Sequence, residues 1–258
     1  MTRPVKAIFF DLDETLLDDD RCMRQAVAST CASLACLRTD LNADQLGMAY
    51  FRISTQVWRG QGGVPRASGS GAANGIEIRL EVWRQALSLC GCRDHGLATQ
   101  AVDLYGQARR DTYRPFPDAP ETLVALAPKF KLGIVTNGTG DVQREKIALT
   151  GLGEHVSAVL VSGELGIGKP DPAIFFMAAA CLNVSPEQAM HVGDSLSYDI
   201  AGAKAAGMSA VWMNRGQSQR SAGDPVPDYE VHSLAELVSL LLPGHGAGKP
   251  AHSKNRGA

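Results

Sequence analysis

Short apolar runs that end in polar residues alternate with segments of helical periodicity along most of the chain. The runs are rich in β-branched and aromatic residues, which is typical of strands buried in a parallel sheet. The predicted strands are residues 5–10, 131–135, 156–161, 190–192, 209–213 and 229–231. The predicted helices between and after them are residues 120–127, 142–149, 172–182, 198–206 and 234–242. This alternation predicts an α/β fold with a Rossmann-like parallel sheet.

One long segment, residues 18–117, breaks the alternation. Its apolar residues recur at helical spacing, as at Val27 and Cys31, and no β-rich run interrupts it. We therefore expect an all-helical domain over this segment, inserted into an α/β core domain formed by residues 1–17 and 118–242.

Two further segments lack the pattern of a packed element. Residues 60–75 are rich in Gly and Ser and form a longer stretch than most connections. They are interpreted either as a mobile loop that contacts substrate or as a solvent-exposed connector. Residues 243–258 have almost nothing to bury, so we expect a disordered tail rather than a metal or nucleic-acid site.

Composition and charge exclude several classes of function. The 258 residues are 45% hydrophobic and carry a formal charge of -2, so no basic field is expected to bind nucleic acid. The six cysteines form no CxxC pair, which favours reduced, mostly buried thiols over a zinc site. The first apolar run stops at Asp11, short of a secretory signal, and no run reaches the roughly 20 residues of a membrane span. We expect a soluble, cytoplasmic monomer or homodimer that binds no membrane.

Chemically active side chains follow several of the predicted strands. Because parallel strands end at one edge of a sheet, residues placed just after them are expected to lie close together. Those residues are Asp11 and Asp13 after the first strand, Thr136 and Asn137 after the second, Lys169 in the loop after the third, and Asp194 after the fourth. Three carboxylates, a hydroxyl and an ammonium are therefore expected at this edge.

These side chains suit phosphoryl transfer. A carboxylate can attack phosphorus, and a second carboxyl group can protonate the leaving oxygen and later deprotonate water. Mg²⁺ prefers carboxylate oxygens, while a hydroxyl and an ammonium can stabilise the phosphoryl oxygens. Each residue alone also has an ordinary structural explanation, such as a helix cap for Asp11 or a turn for Asn137. Their coincidence at one sheet edge favours a functional site.

Four segments resemble, in order, the four motifs of the haloacid dehalogenase superfamily. They are residues 11–16 (DLDETL), 135–138 (VTNG), 168–172 (GKPDP) and 193–200 (GDSLSYDI). The helical insertion after the first motif resembles the C1 cap domain found in phosphoglycolate phosphatases, 5'-nucleotidases and N-acylneuraminate-9-phosphatases. The resemblance spans roughly residues 5–240. It implies a Mg²⁺-dependent phosphatase that acts on a small phosphorylated metabolite through an aspartyl-phosphate.

The resemblance also implies roles for five residues of the first three motifs. Asp11 would be the nucleophile and a metal ligand. Asp13 would be the general acid and base and would offer its backbone carbonyl to the metal. Thr136, aided by Asn137, would bind the phosphoryl group, and Lys169 would pair with Asp11 and the phosphate.

In the fourth motif, the resemblance implies that Asp194 binds the metal and that Asp199 orients the groups around it. Ser195 would be an additional phosphate or metal contact. The chain departs from many relatives at Glu14, where they carry Gly, and we expect this difference to be neutral.

Three alternative functions are open. A 2-haloacid dehalogenase would use the same nucleophile but needs neither a metal nor a proton donor at Asp13, and a phosphomutase would need a cap that holds a bisphosphate. A phospho-accepting signalling module would lack the helical insertion. Asp13 and the acidic pair Asp194 and Asp199 favour the phosphatase.

In the inserted segment, the sequence assigns no residue to the site. Trp83 is predicted to lie in the core, on a helical stretch that also carries Arg79 and Arg84. Arg59 and Arg66 flank the Gly/Ser-rich stretch and are predicted to lie on the surface.

Overall fold

The computed structural model describes residues 4–58 and 75–242. The expectations for residues 60–74 of the Gly/Ser-rich stretch and for the tail at 243–258 lie outside these ranges, as do those for Arg59 and Arg66. Gly75, the last residue of that stretch, begins a helix.

Six parallel strands form one sheet, in the order β3-β2-β1-β4-β5-β6. The strands are β1 Ala7–Phe10, β2 Lys131–Thr136, β3 Ala158–Val161, β4 Ala189–Gly193, β5 Ser209–Met213 and β6 Tyr229–Val231. At the end of β1, Phe10 pairs with Ile134 of β2 and Val192 of β4. The predicted α/β class is confirmed, and all six predicted strands are present with bounds shifted by at most a few residues.

Helices cover both faces of the sheet, which is why all four residues of β1 are buried. On one face Ile8 and Phe10 belong to a cluster that includes Leu123 and Leu237. On the other face Phe9 packs in a cluster with Phe175 of a later helix. Burial of each large apolar side chain contributes about 1.5–3 kcal/mol, so the position of β1 at the centre is strongly determined.

The helices of the α/β part lie where the periodicity predicted them, with two exceptions. They are α5 Ala119–Leu126, α6 Gly140–Thr150, α7 Ser162–Leu165, α8 Pro172–Cys181, α9 Ala201–Ala205 and α10 Leu234–Leu241. The predicted helix at 198–206 is instead a π-helical turn, Leu196–Ile200, followed by α9. The short helix α7 was not predicted, because four residues are too few to show a period.

Between β1 and α5 the described residues form four helices, which we call the inserted helices. They are α1 Asp19–Leu37, α2 Ala43–Trp58, α3 Gly75–Leu89 and α4 His95–Thr112. They have a hydrophobic cluster of their own, in which Trp83 is fully buried against Tyr50 and Tyr105, as predicted for Trp83. The predicted helical character of the insertion is therefore observed, while its domain bounds remain a prediction.

The cysteines are free thiols, but fewer are buried than the sequence suggested. Cys22, Cys31 and Cys92 are buried, Cys90 is partly exposed, and Cys36 and Cys181 are exposed. Cys36 lies near the end of α1 and Cys181 at the end of α8. Across the described ranges, no helix has both the length and the apolar character that a membrane crossing requires.

Candidate active site

The ends of three adjacent strands bring the predicted side chains together. Asp11 directly follows β1, and its backbone N–H donates to the carbonyl of Val192 in β4 at 2.9 Å. Thr136 ends β2 on one side, and Asp194 follows β4 on the other. The order β2-β1-β4 therefore places Asp11 centrally among these groups. This is as expected, because parallel strands end at one edge of a sheet.

Lys169 joins the edge from the loop between α7 and α8. Its Nζ lies 2.6 Å from Asp11 Oδ1 and 2.6 Å from Asp199 Oδ1, and the whole side chain is buried. The loop is fastened by Asn137, whose Nδ2 donates to the Lys169 carbonyl and whose Oδ1 accepts from the Lys169 N–H, both at 2.9 Å. Both side-chain amide atoms of Asn137 thus position the lysine, a use that the sequence did not indicate.

Asp199 is buried and bonded on both carboxylate oxygens. Besides Lys169, it lies 2.8 Å from His191 Nε2, and its Oδ2 accepts from the Ser195 N–H at 3.0 Å. Burial alone would raise the pKa of Asp199, but the charge of Lys169 and the hydrogen bond from His191 outweigh it and hold the pKa well below its usual range. The close approach also requires Gly193, because a Cβ at that position would overlap the Asp199 carboxylate.

The edge holds a cluster of three carboxylates. Asp11, Asp194 and Asp199 each offer an oxygen within 4.8 Å of the others. Burial, followed by repulsion from the Asp199 charge, raises the pKa of Asp194 to about 7. Burial also raises the pKa of Asp11 well above its usual range, although Lys169 opposes the shift. Closely spaced carboxylates whose ionisation is unfavourable are a suitable donor set for a hard divalent cation.

Asp13 lies outside that cluster and is held by two residues that the sequence analysis missed. Both of its oxygens lie 2.8 Å from Lys146 Nζ, and Gln143 Nε2 donates to Oδ2 at 3.1 Å. The same Gln143 nitrogen lies 2.6 Å from Thr136 Oγ1, which links the first two motifs. Burial raises the pKa of Asp13, while the charge of Lys146 lowers it in part.

The charged network continues into the inserted helices. Lys146 Nζ lies 3.0 Å from Asp19 Oδ1 at the start of α1, and Arg109 near the end of α4 donates to the same oxygen. Arg109 and Lys146 are both almost fully buried. The network therefore ties Asp13 of the α/β part to the first and last inserted helices.

A cavity of about 320 Å³ lies between the sheet edge and the inserted helices. Asp13 and Lys146 line it from the α/β part, and Tyr50, Arg79 and Tyr105 line it from the inserted helices. A substrate that reaches Asp13 would therefore also contact the inserted helices.

Two further motif residues, Ser195 and Glu14, lie outside the carboxylate cluster. Ser195 caps the π-helical turn, with its Oγ accepting from the Tyr198 N–H at 3.2 Å, so the predicted phosphate or metal contact remains a proposal.

Glu14 has a φ of 58°, in the left-handed region that favours Gly. Its expected neutrality is therefore wrong for the backbone, where a non-Gly residue costs roughly 1–2 kcal/mol. Part of this is offset because its Oε1 accepts from the Asp20 N–H at 2.6 Å.

Comparisons with known proteins agree on one family. Residues 5–207 match the haloacid dehalogenase-like hydrolase family. The glyceraldehyde 3-phosphate phosphatase of Methanopyrus kandleri is 32% identical over 243 residues, which are 92% of this chain and 97% of the relative. The phosphoserine phosphatase of Thermus thermophilus is 40% identical over 162 residues, 62% of this chain and 64% of that relative.

A solved structure extends the agreement to the three-dimensional fold. The 2-haloacid dehalogenase of Pseudomonas syringae is 31% identical and superposes with a TM-score of 0.65, covering 92% of this chain and 98% of that one. The matched range, residues 5–207, includes all four motif segments. The chain therefore belongs to the haloacid dehalogenase-like hydrolase family.

Proposed function

We propose that the chain is a Mg²⁺-dependent phosphatase that hydrolyses a small phosphorylated metabolite through a phosphoryl group bound covalently to Asp11. The observation that carries the proposal is the setting of Asp11, 2.6 Å from the buried Lys169 ammonium and within a cluster of three carboxylates. An ammonium and a divalent cation together offset the repulsion between an anionic nucleophile and a phosphate ester. The two phosphatase relatives support the same reaction class.

In the first step, an Asp11 oxygen attacks phosphorus and the bond from phosphorus to the leaving oxygen breaks. Asp13 donates the proton that the leaving oxygen needs, and burial raises its pKa, which is the direction that a general acid requires. Lys169 holds Asp11 in place. Lys169 and the Thr136 hydroxyl, aided by Asn137, bind the phosphoryl oxygens.

In the second step, the Asp13 carboxylate takes a proton from water as the water oxygen attacks phosphorus. The bond between phosphorus and Asp11 breaks, and inorganic phosphate leaves. Gln143 donates to both Asp13 and Thr136. It therefore keeps the carboxyl group of Asp13, the general acid and base, beside the Thr136 hydroxyl that binds the phosphoryl group.

The donor set fits Mg²⁺, because three carboxylates converge and two of them ionise unfavourably without a cation. Asp11 and Asp194 would hold the ion, with the Asp13 backbone carbonyl as a further oxygen ligand. Asp199 already accepts three hydrogen bonds and would position the ligands. When bound, Mg²⁺ supplies positive charge to the phosphoryl oxygens.

The second candidate function is dehalogenation, which the similarity to the Pseudomonas syringae enzyme favours. Departure of a halide needs no proton, so a dehalogenase would have no use for the Asp13 carboxyl group or for Asp194 as a metal ligand. The two functions are separated by assaying phosphate release from p-nitrophenyl phosphate and chloride release from 2-chloropropionate. We expect phosphate release that EDTA stops and Mg²⁺ restores; chloride release unaffected by EDTA would establish the dehalogenase instead.

We expect the apparent affinity for Mg²⁺ to weaken as the pH falls below about 7. The pKa of Asp194 is raised to about 7, so below that pH a proton must leave the carboxyl group before it can ligate the ion. The proton that Asp194 releases contributes about a tenfold weaker affinity per pH unit, beside any contribution from Asp11. Mg²⁺ titrations of the rate at several pH values measure this slope. The Asp194→Asn variant should bind Mg²⁺ more weakly and have a shallower slope, and an unchanged slope in that variant would contradict the assignment.

A further inference from the structure

Three cations line the cavity between the sheet edge and the inserted helices. Among the described residues of the lining they are Arg79 on α3, Arg109 on α4 and Lys146 on α6, and the carboxylates there are Asp13 and Asp19. The lining therefore carries one positive charge more than its own acids can neutralise.

Two of the three cations have carboxylate partners. Lys146 bonds both Asp13 and Asp19, and Arg109 bonds Asp19 while lying 4.7 Å from the centre of the Tyr113 ring. Removing Lys146 would leave Asp13 without a cationic partner, and removing Arg109 would leave Asp19 with Lys146 alone. These two cations are therefore occupied by the protein itself.

Arg79 is the exception. Within residues 4–58 and 75–242, no carboxylate lies within ion-pair distance of its guanidinium group. The guanidinium instead lies over the Tyr105 ring, 5.6 Å from its centre, and the side chain is half-buried. A stacked, partly desolvated guanidinium keeps its donors in a fixed plane, which suits a carboxylate or a phosphate.

The surroundings of Arg79 would not compete with such a ligand. Burial, followed by Tyr105, raises the pKa of the neighbouring Tyr50 well above its usual range, so its hydroxyl remains neutral and adds no negative charge beside Arg79. Met23, Ile78 and Val82 supply apolar lining. The volume of about 320 Å³ suits a small molecule and not a polymer.

We propose that the leaving group of the substrate carries an anionic group, a carboxylate or a second phosphate, that binds Arg79. This inference rests on the proposed phosphatase function and adds the class of substrate. The phosphate that is hydrolysed lies at the sheet edge with Asp11 and Lys169, and the second anion lies at the inserted helices. Arg79 is then a specificity-determining residue on an element that the four motifs do not cover.

The first test compares matched substrates with the wild-type enzyme and Mg²⁺. Glycerol 3-phosphate and 3-phosphoglycerate share a carbon skeleton and differ in the terminal carboxylate, while fructose 6-phosphate and fructose 1,6-bisphosphate differ in a second phosphate. We expect kcat/KM to be at least about tenfold higher for the anionic member of one pair, and that pair identifies the anion. Equal values within both pairs would overturn the proposal.

The second test asks whether Arg79 causes the preference. We expect Arg79→Gln to reduce the anionic-to-neutral ratio of kcat/KM by about 10- to 100-fold, mainly through KM. Arg84→Gln, an exposed arginine on the same helix that pairs with Glu81, is the matched control and should leave the ratio unchanged. A preference that survives Arg79→Gln, or that Arg84→Gln removes equally, would overturn the assignment.

Hydrolysis of p-nitrophenyl phosphate by the wild-type enzyme separates this inference from the function on which it rests. Turnover of that ester without a preference in either pair would reject the Arg79 site alone. Absence of turnover of every phosphate ester would reject both.

Discussion

Replacing Asp11 with Asn is expected to lower the rate of p-nitrophenyl phosphate hydrolysis by at least about 10⁴-fold while the chain remains folded. The amide is not a nucleophile toward phosphorus and offers only a neutral oxygen to a cation. The fold should persist because Lys169 keeps Asp199 as a partner at 2.6 Å, and removal of the Asp11 charge relieves repulsion with Asp194 and Asp199. Initial rates and a thermal melt measure the two effects.

The matched control is Asp171→Asn. Asp171 is exposed at the start of α8, where its side chain accepts from the Ala173 N–H at 2.9 Å, and Asn caps a helix about as well as Asp. We expect its activity to be within about twofold of wild type. If Asp11→Asn kept the activity of this control, Asp11 could not be the nucleophile.

Replacing Lys169 with Met should reduce both activity and stability. The substitution keeps the approximate length of the side chain but leaves Asp11 and Asp199 buried without the ammonium that each contacts at 2.6 Å. Breaking a buried ion pair in this way costs about 3–5 kcal/mol. Loss of the charge beside the phosphoryl site should also lower the rate by at least about 10²-fold. Urea unfolding without metal and steady-state kinetics with Mg²⁺ measure the two losses.

Lys204→Met is the control for the change in stability. Lys204 also lies 2.6 Å from a carboxylate, that of Asp228, but both side chains are substantially exposed, at 42% and 35%. Such a surface pair contributes at most about 1 kcal/mol. Equal losses of unfolding free energy in the two variants would show that burial of the Lys169 pair is not what makes it important.

Most of the fold could be predicted from the sequence because its main signals are local. An apolar run such as Ala7–Phe10 identifies a buried strand by itself, and helical periodicity identified the inserted segment as helical. The order of the strands follows from packing between distant segments, which no local pattern encodes. The π-helical turn Leu196–Ile200 was missed for a related reason, since the bond from Ser195 N–H to Asp199 within a tight loop shapes it.

The site was predicted best where it lies at strand ends. Asp11, Thr136 and Asp194 were correctly expected at one edge because sheet topology controls those positions. Lys169 reaches the same edge from the loop after α7, where Asn137 holds it. Lys146 was missed because it lies within a helix, 133 residues along the chain from Asp13. Its one local signal is its spacing from Gln143, which puts two polar residues on the buried side of α6.

The central claim is that phosphate is transferred to Asp11, and trapping the intermediate tests it most directly. Wild-type enzyme mixed with Mg²⁺ and p-nitrophenyl phosphate is quenched in acid within one turnover and digested with pepsin in acid, where an acyl phosphate survives. We expect a gain of about 80 Da, one phosphoryl group, on the peptide that contains Asp11, with fragmentation placing it on that residue. A burst of p-nitrophenol with no such adduct, or with the adduct on another residue, would contradict the account.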